Sequence, residues 1–191
     1  MKNLKNPLVF VFIAFATLSF TTITKEVKKV NTKESKVVWK GYKVTGSHEG
    51  TVSLQSGVLN FEKEKLVGGE FTIDMTSIAV TDLSGKYQKK LEDHLKSDDF
   101  FGVNNHPTAK LVFTKVKAKG KNSYEVTADL TIKNKTNSVT FQISVYGGKA
   151  TASLKVDRAK YDVKYGSTSF FDGLKDKAIY DEFDLVVDLV F

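Results

Sequence analysis

The sequence contains no cysteine and a single arginine, and these two scarcities exclude several classes of function. Without cysteine there is no disulfide, no thiol nucleophile and no zinc–thiolate site, so burial and backbone pairing must hold the fold. Phosphate and base recognition draw heavily on the planar guanidinium fork, yet Arg158 is the one arginine among 29 basic residues. The lysines therefore indicate a solvated surface, and we expect no nucleic-acid partner.

Long apolar runs are also scarce, and the clearest one lies at the N-terminus. Lys2 and Lys5 precede an apolar run from Leu8 to Phe20, which is the layout of a secretory signal peptide. A permanent membrane anchor is the alternative, but the run is shorter than the roughly 20 residues that a spanning helix requires. We predict a signal peptide over residues 1-22, without a sharply marked cleavage site, and a polar N-terminal segment over residues 23-34. The chain is then periplasmic or secreted.

Apolar and polar residues alternate with a period of two through most of the remaining chain, which is typical of strands with one buried face. The alternation is cleanest over residues 124–132, 139–145 and 150–156, where short turns predict an antiparallel meander. Further strands are predicted over residues 36–44, 49–54, 58–62, 66–75, 111–118 and 183–190. Eight or nine neighbouring antiparallel strands must hide their edges, as a barrel or as a sandwich, and we favour the barrel.

One segment breaks this alternation and predicts a helix. Tyr87, Leu91 and Leu95 recur every four residues between about residues 84 and 96, as on one face of an amphipathic helix. The stretch "HLKSDDFFGVNNHP" follows, with His94 in the last helical turn, where a cationic side chain is favoured by the exposed carbonyl groups. Phe100 and Phe101 stand between two polar turns, so we interpret them as a plug that closes one end of the barrel.

Histidines and aspartates in the loops leave an enzyme as an alternative. A hydrolase-like enzyme with a loop-borne His/Asp metal site would use His48, His94 and His106 with Asp98 and Asp99. The HxxxH and HExxH spacings of helical metal sites are missing, however. The inward positions of the clean strands also carry no titratable group that would serve as acid, base or ligand. We therefore predict a non-catalytic protein with no metal ion and no cofactor.

Small residues on the inner face raise the question of whether the barrel is hollow. Ala128, Ala150 and Ala152 make part of the lining shallow, and a barrel of about eight strands is just wide enough for one small ligand. The alternative is that rings such as Phe141 fill the space. The pattern of residues leaves both interpretations open.

Five stretches, in this order and spacing, resemble the YceI-like family of bacterial lipid- or polyisoprenoid-binding proteins. They are "GSHEG" at 46–50, "HLKSDDFFGVNNHPTA" at 94–109, "LTIKNKTNSVTF" at 130–141, "DRAKYDVKYGS" at 157–167 and "LKDKAIYDEFDLVVDL" at 174–189. The resemblance covers residues 35-191. It implies an all-β, lipocalin-like extended antiparallel barrel of about eight strands with one inserted amphipathic helix, exported to the periplasm. The lumen of such a barrel holds a long isoprenoid or similar chain, and no catalytic residue is carried over.

These inferences define a candidate binding site, in which the partner is a polyisoprenoid or another long-chain amphiphile. The predicted lumen residues are Trp39, Phe71, Ile73, Phe113, Val126, Ala128, Phe141, Ile143, Ala152 and Leu154. The predicted closing residues are Phe100, Phe101, Phe170 and Phe171. The lysines over residues 25–40 would favour a weak contact with an anionic membrane surface.

An outer-membrane β-barrel is the remaining alternative, because it shows the same alternation with the two faces exchanged. The terminal "FDLVVDLVF" at 183–191 has apolar residues on alternate positions, as such a strand would. The amphipathic helix between strands, and alanines where a lipid-facing band should be bulky, favour the closed lumen instead. The oligomeric state is not predicted.

Overall fold

A computed structural model describes residues 25–191, and the predicted signal peptide at 1-22 lies outside the described residues. The elements are β1 (Lys25–Lys29), β2 (Lys36–Lys43), β3 (Gly46–Glu62), β4 (Lys65–Val80), α1 (Gly85–Lys96), β5 (Thr108–Ala118), β6 (Ser123–Ile132), β7 (Lys135–Tyr146), β8 (Lys149–Asp157) and β9 (Ile179–Val190). Short 3₁₀ turns at Arg158–Tyr161 and Lys175–Lys177 interrupt the long connection from β8 to β9.

Strands β2 to β9 form a closed, all-antiparallel barrel. The ring runs β3-β2-β9-β8-β7-β6-β5-β4, and β4 pairs back onto β3, so each of the eight strands has two hydrogen-bonded neighbours. Closure provides hydrogen-bond partners for the backbone N–H and C=O groups that the edge strands of an open sheet would expose. The predicted fold class, an eight-stranded antiparallel barrel with one inserted helix, is confirmed.

β1 lies beside the ring rather than within it. Its residues Lys25 to Lys29 pair with the C-terminal part of β3, from Val58 to Glu62. β2 pairs with the other end of the same strand, so β1 and β2 follow one another along one edge of β3. The segment at 23-34, predicted only as polar, therefore contributes a strand that extends the barrel wall.

β3 and β4 are longer than the alternation predicts. β3 is continuous through the two stretches predicted as separate strands at 49–54 and 58–62, with a register shift between Leu54 and Ser56. Gly57, which suggested a break, instead lies under the ring of Phe71, where a Cβ atom would be 2.7 Å from a ring carbon. β4 continues to Val80 rather than ending at Met75.

Alternation decides which side chains face the lumen. On β6 the residues Tyr124, Val126, Ala128, Leu130 and Ile132 are all buried, and the residues between them are half-buried or exposed. Such one-sided burial is what a period of two produces when one face of a strand meets the core.

Helix α1 covers the barrel where β4 outruns β5. β5 begins opposite Asp74, so the last residues of β4 extend beyond it. The helix is tied to this extension because the Gln88 side-chain amide donates to Val80 O at 2.9 Å and Glu92 Oε1 accepts from Val80 N at 2.9 Å. Leu95 is the buried residue of the helix. We call this end of the barrel, which carries α1, residues 97–107 and residues 158–178, the upper end.

A polar network on the outer surface joins β2, β8 and β9. The Asp184 carboxylate accepts hydrogen bonds from the Tyr42 hydroxyl at 2.6 Å and from Lys155 Nζ at 2.8 Å. The hydrogen bonds from Lys155 and from Tyr42 hold the pKa of Asp184 below its ordinary value. This network links the paired strands β2 and β9 on the outer surface, and we call this strand pair the β2–β9 seam.

Candidate functional site

The upper half of the lumen contains an apolar cavity of about 130 Å³. Strand residues form its sides, and α1 with residues 100 and 101 forms its roof. Its lining comprises Trp39, Gly41, Val52, Ile73, Met75, Ile78, Leu95, Phe100, Phe101, Ala109, Leu130, Ile132, Arg158, Ile179, Tyr180, Phe183 and Leu185. Apolar atoms bound this space almost throughout, so it suits a hydrocarbon rather than a polar substrate.

A second cavity of about 70 Å³ lies in the lower half of the lumen. Its lining comprises Val37, Leu54, Phe71, Ile73, Leu111, Phe113, Leu130, Phe141, Ile143, Ala152, Leu154, Leu185, Val187 and Leu189. The aromatic rings form part of the wall, with Phe113 packed against Phe71 and Phe141 at centroid distances of 5.8 Å each. The rings and the hollow therefore coexist, and neither sequence interpretation describes the interior alone.

Three aliphatic side chains separate the two cavities. Ile73, Leu130 and Leu185 line both of them, and we call these three residues the waist. They come from β4, β6 and β9, which lie on different sides of the ring. These aliphatic side chains make no side-chain hydrogen bond, so moving them would break none.

The structure places the ten predicted lumen residues on the inner face, but not all of them border a cavity. Trp39 lines the upper cavity and Ile73 lines both. The residues that line the lower cavity are Phe71, Ile73, Phe113, Phe141, Ile143, Ala152 and Leu154. Val126 and Ala128 are 0% exposed and lie within the packed part of the wall. Whether these residues bind a ligand stays a prediction.

Sequence reasoning missed several lining residues of β4, β9 and α1. Phe183 and Leu185 alternate along β9, a signal that was available, and Leu95 belongs to the apolar face predicted for the helix. Ile78 was missed because β4 was predicted to end at Met75. Gly41 gave no signal, because hydropathy patterning is silent about a residue without a side chain.

Phe100 and Phe101 form part of the roof of the upper cavity. Phe100 is 6% exposed, and its ring lies 5.1 Å from that of Phe101 and 5.7 Å from that of His94. The main chain around them is fixed, since Phe101 N donates to Leu95 O and Gly102 N donates to Ser97 O. Phe100 and Phe101 therefore lie at the upper end of the lumen, as the predicted closing residues should.

Phe170 and Phe171 do not close the barrel, and the prediction that they do is wrong. They are 42% and 49% exposed. Both backbone N–H groups donate to Ser167 O, in a turn that holds them on the outer surface. Lys164 Nζ lies 5.2 Å from the Phe170 ring centroid, and Phe171 lines a surface cleft.

Arg158 is a buried cation at the edge of the upper cavity, with 2% exposure. Its guanidinium donates to the carbonyl oxygens of Val163 at 2.8 Å, Ile179 at 3.0 Å and Tyr180 at 3.1 Å. It also lies 5.3 Å from the ring centroid of Phe100. Burial lowers the pKa of Arg158 below its ordinary value, while the charge of Asp181 acts in the opposite direction. Arg158 thus ties together both ends of the β8–β9 connection beneath the roof.

A groove of about 190 Å³ lies between α1 and the β2–β3 hairpin, on the outer side of the upper cavity. Its lining comprises Trp39, Gly41, Tyr42, Lys43, His48, Leu91, His94, Leu95, Phe100 and Ile179. We call it the helix groove. It presents the side chains of Lys43, His48 and His94 beside apolar ones.

The histidines of the alternative metal site do not form one cluster. His48 and His94 both line the helix groove. His48 Nδ1 lies 2.9 Å from Asp82 Oδ2, and His106 lies in the following loop beside Gly102. Burial raises the pKa of Asp82, but the hydrogen bond from His48 and those from the backbone outweigh it, and the pKa lies below its ordinary value. Over residues 25–191, no three His, Asp or Glu side chains converge as metal ligands would.

The chain is similar to proteins of one bacterial family. A model of the YceI-like domain matches residues 28–191. A UPF0312 protein of Pseudomonas putida strain W619 is 30% identical over 98 residues, which are 51% of this chain and 49% of that protein. A UPF0312 protein of Shewanella denitrificans is 30% identical over 91 residues, or 48% of this chain and 46% of that protein. The chain therefore aligns with about half the length of these curated relatives.

Solved structures share the barrel. Burkholderia cenocepacia BcnA is 27% identical, with a TM-score of 0.66 over 85% of this chain and 99% of that chain. A Campylobacter jejuni YCEI protein is 16% identical, with a TM-score of 0.54 over 94% of this chain and 90% of that chain. The second likeness supports the fold alone. No helix within residues 25–191 is long and apolar enough to cross a membrane.

Proposed function

Because the chain belongs to the YceI-like domain family over residues 28–191, we propose that it is a non-catalytic protein that sequesters or carries a polyisoprenoid or similar amphiphilic lipid in its lumen. The observation that carries this proposal is the pair of apolar cavities on one axis, divided by the aliphatic waist. A barrel-type fold in this family is consistent with a binding protein. The polar head of the ligand lies at the loop-lined upper end.

Hydrocarbon burial supplies the affinity in this proposal. Each methylene taken out of water contributes about 0.8 kcal/mol, and the lining offers a hydrocarbon few competing polar groups. Pockets for drug-sized ligands measure roughly 300–1,000 Å³, which exceeds both cavities as they stand at about 130 and 70 Å³. Even joined, the two cavities stay below this range, so a long chain binds by displacing side chains of the waist and of the surrounding lining.

Mass spectrometry of organic extracts tests the proposal. The protein is purified without detergent, extracted, and compared with a mock purification and with the variant Ala152→Trp, which fills part of the lower cavity. We expect an isoprenoid or another long-chain amphiphile in near-stoichiometric amount from the wild type, and much less from the variant. A wild-type protein that carries no amphiphile, and takes none up from a lipid mixture, would contradict the proposal.

Two measurements separate this function from its alternatives. Glu125, Thr127 and Asp129 occupy the outward positions of β6, where a membrane barrel would present apolar groups. Solubility without detergent is therefore expected, and aggregation that only detergent relieves would favour the membrane barrel. For the metal-enzyme alternative, metal analysis of the purified protein is followed by single replacements of His48, His94 and His106.

We also propose that the protein is exported, to the periplasm or the medium. The basic start and apolar run of residues 1-22 support this proposal. Mass measurement of the mature protein from a periplasmic fraction tests it. A full-length chain confined to the cytoplasm would contradict it.

A further inference from the structure

The helix groove and the upper cavity share part of their walls. Five residues line both spaces: Trp39, Gly41, Leu95, Phe100 and Ile179. Four of them carry large apolar side chains, whereas the fifth carries none. At Gly41, therefore, no side chain contributes to the partition between the surface groove and the lumen.

Gly41 occupies an inward position on β2. Val37 and Trp39 precede it at a spacing of two and both line the lumen, and the residue opposite it on β9 is Phe183, which lines the upper cavity. Apart from Gly41 itself and its chain neighbours Lys40 and Tyr42, no atom of the described residues 25–191 lies within 4 Å of a Cβ atom built on Gly41. This inward position is therefore open space.

Other inward glycines of the barrel are covered by rings. A Cβ atom on Gly50 would lie 1.8 Å from Ala79 O and 2.6 Å from the Trp39 ring, and one on Gly69 would lie 2.9 Å from the Phe113 ring. These glycines are needed because a ring, and at Gly50 also a backbone carbonyl, already fills the space where a side chain would begin. Gly41 differs from them because the space above it is empty.

The strand pairing is irregular at the same place. Gly41 pairs with Phe183 on β9, but Lys43 pairs with Ile179, so two steps along β2 match four steps along β9. Such a bulge loosens the ladder locally. On the outer surface, the Tyr42–Asp184 hydrogen bond holds the seam beside the gap. At Gly41 the barrel wall therefore lacks an inward side chain and has irregular strand pairing. This point lies next to the helix groove.

We propose that the gap at Gly41 is the passage through which the apolar chain of the ligand enters the upper cavity from the helix groove. The polar head stays in the groove beside Lys43, His48 and His94, which line it. A gap one residue wide admits one hydrocarbon chain, so the ligand class is a single-chain amphiphile rather than a two-chain phospholipid. This inference rests on the proposed function.

Binding kinetics of a fluorescent polyene fatty acid, cis-parinaric acid, test the passage by stopped flow. Gly41→Phe fills the gap, and Gly41→Leu serves as a second blocking variant. The control is Gly120→Phe, at a turn at the lower end, where a Cβ atom likewise meets nothing of residues 25–191 within 4 Å beyond Gly120 and its two chain neighbours. We expect Gly41→Phe to slow association and dissociation together by at least about tenfold, equivalent to about 1.4 kcal/mol on the barrier. Gly120→Phe should retain wild-type rates.

Several outcomes overturn the passage. Wild-type rates in a Gly41→Phe or Gly41→Leu variant that keeps the wild-type circular dichroism would place the entry elsewhere. Faster dissociation with unchanged association would make position 41 part of the occupied site rather than the route to it. Equal uptake of single-chain and two-chain lipids would refute the selectivity. Failure of the wild type to bind the probe, together with lipid-free extracts, would instead overturn the proposed function itself.

Discussion

Under the proposed function, Leu185 at the waist sets a measurable limit on the length of the bound chain. It borders both cavities and pairs with Trp39 on β2 and with Leu154 on β8. In the wild type, a chain that crosses the waist must push this side chain off its preferred rotamer, which costs about 1–3 kcal/mol. Leu185→Ala removes that cost. Chains long enough to cross should therefore bind the variant about 5- to 150-fold more tightly, whereas chains that end in the upper cavity, which Leu185 also lines, should bind the variant no more tightly than the wild type.

A homologous series of fatty acids or isoprenoid alcohols, titrated by calorimetry or by quenching of the single tryptophan, Trp39, measures this effect. Leu185→Ala should also lower the free energy of unfolding by about 2 kcal/mol, the low end for such truncations, because Leu185 is only half-buried. The matched control is Val186→Ala, whose side chain is on the next residue and 47% exposed. The same ratio of long-chain to short-chain affinity in wild type and Leu185→Ala would refute the reasoning.

Three further substitutions probe the wall, the lower cavity and the seam. Gly50→Ala places a Cβ atom 1.8 Å from Ala79 O. Urea unfolding should therefore show that the free energy of unfolding falls by an amount at or above the upper end of about 1–3 kcal/mol. Gly41→Ala, in open space, should change the free energy of unfolding by no more than about 0.5 kcal/mol. Ala152→Trp should exclude long chains while circular dichroism shows an intact barrel, and unchanged uptake would remove Ala152 from the lumen. Asp184 has a folded pKa below 3.8, so its contribution to stability is complete above that pH and is lost as the pH falls through the folded pKa. The fall in melting temperature on acidification should therefore be smaller in Asp184→Asn than in the wild type. Equal falls in the two proteins would show that the ionised Asp184 does not stabilise the barrel.

The barrel could be predicted where each strand meets water on one face and the lumen on the other. β6 and β8 show this along their whole length and β7 shows it over residues 137–143, because the more buried and the more exposed residues alternate there. The helix, which spans Gly85–Lys96, was also predictable because its apolar residues recur with a helical period rather than a period of two. In these segments the local pattern and the tertiary environment agree, so the sequence alone is informative.

β1 shows where such reasoning stops. Its sequence, KEVKK, has one apolar residue, and Val27 is 56% exposed. The strand is held by backbone hydrogen bonds to β3, which any residue except proline can make, so its existence leaves almost no trace in composition. Pairing that depends on a distant partner is invisible to a pattern of hydropathy.

The two Phe-Phe pairs show a second limit. Phe100–Phe101 and Phe170–Phe171 both stand in polar loops, and their composition does not distinguish them. The first pair follows directly from α1, whose end fixes the loop over the lumen through backbone hydrogen bonds. The second pair sits in the β8–β9 connection, on a turn that points away from the core. Tertiary anchoring of the loop, and not the side chain, decides which pair is buried.

An empty lumen has an energetic consequence that ties stability to binding. An apolar void of this kind stays dry and costs about 24 cal/mol per Å³, so the upper cavity of about 130 Å³ leaves the unliganded barrel roughly 3 kcal/mol less stable than a filled one. A hydrocarbon chain that enters restores the missing contacts without breaking any hydrogen bond of the wall. Under the proposed function the ligand acts as part of the core, and we expect the loaded protein to melt at a higher temperature than the protein without ligand. A barrel whose interior was filled by larger side chains would gain that stability permanently and would lose the room for its ligand.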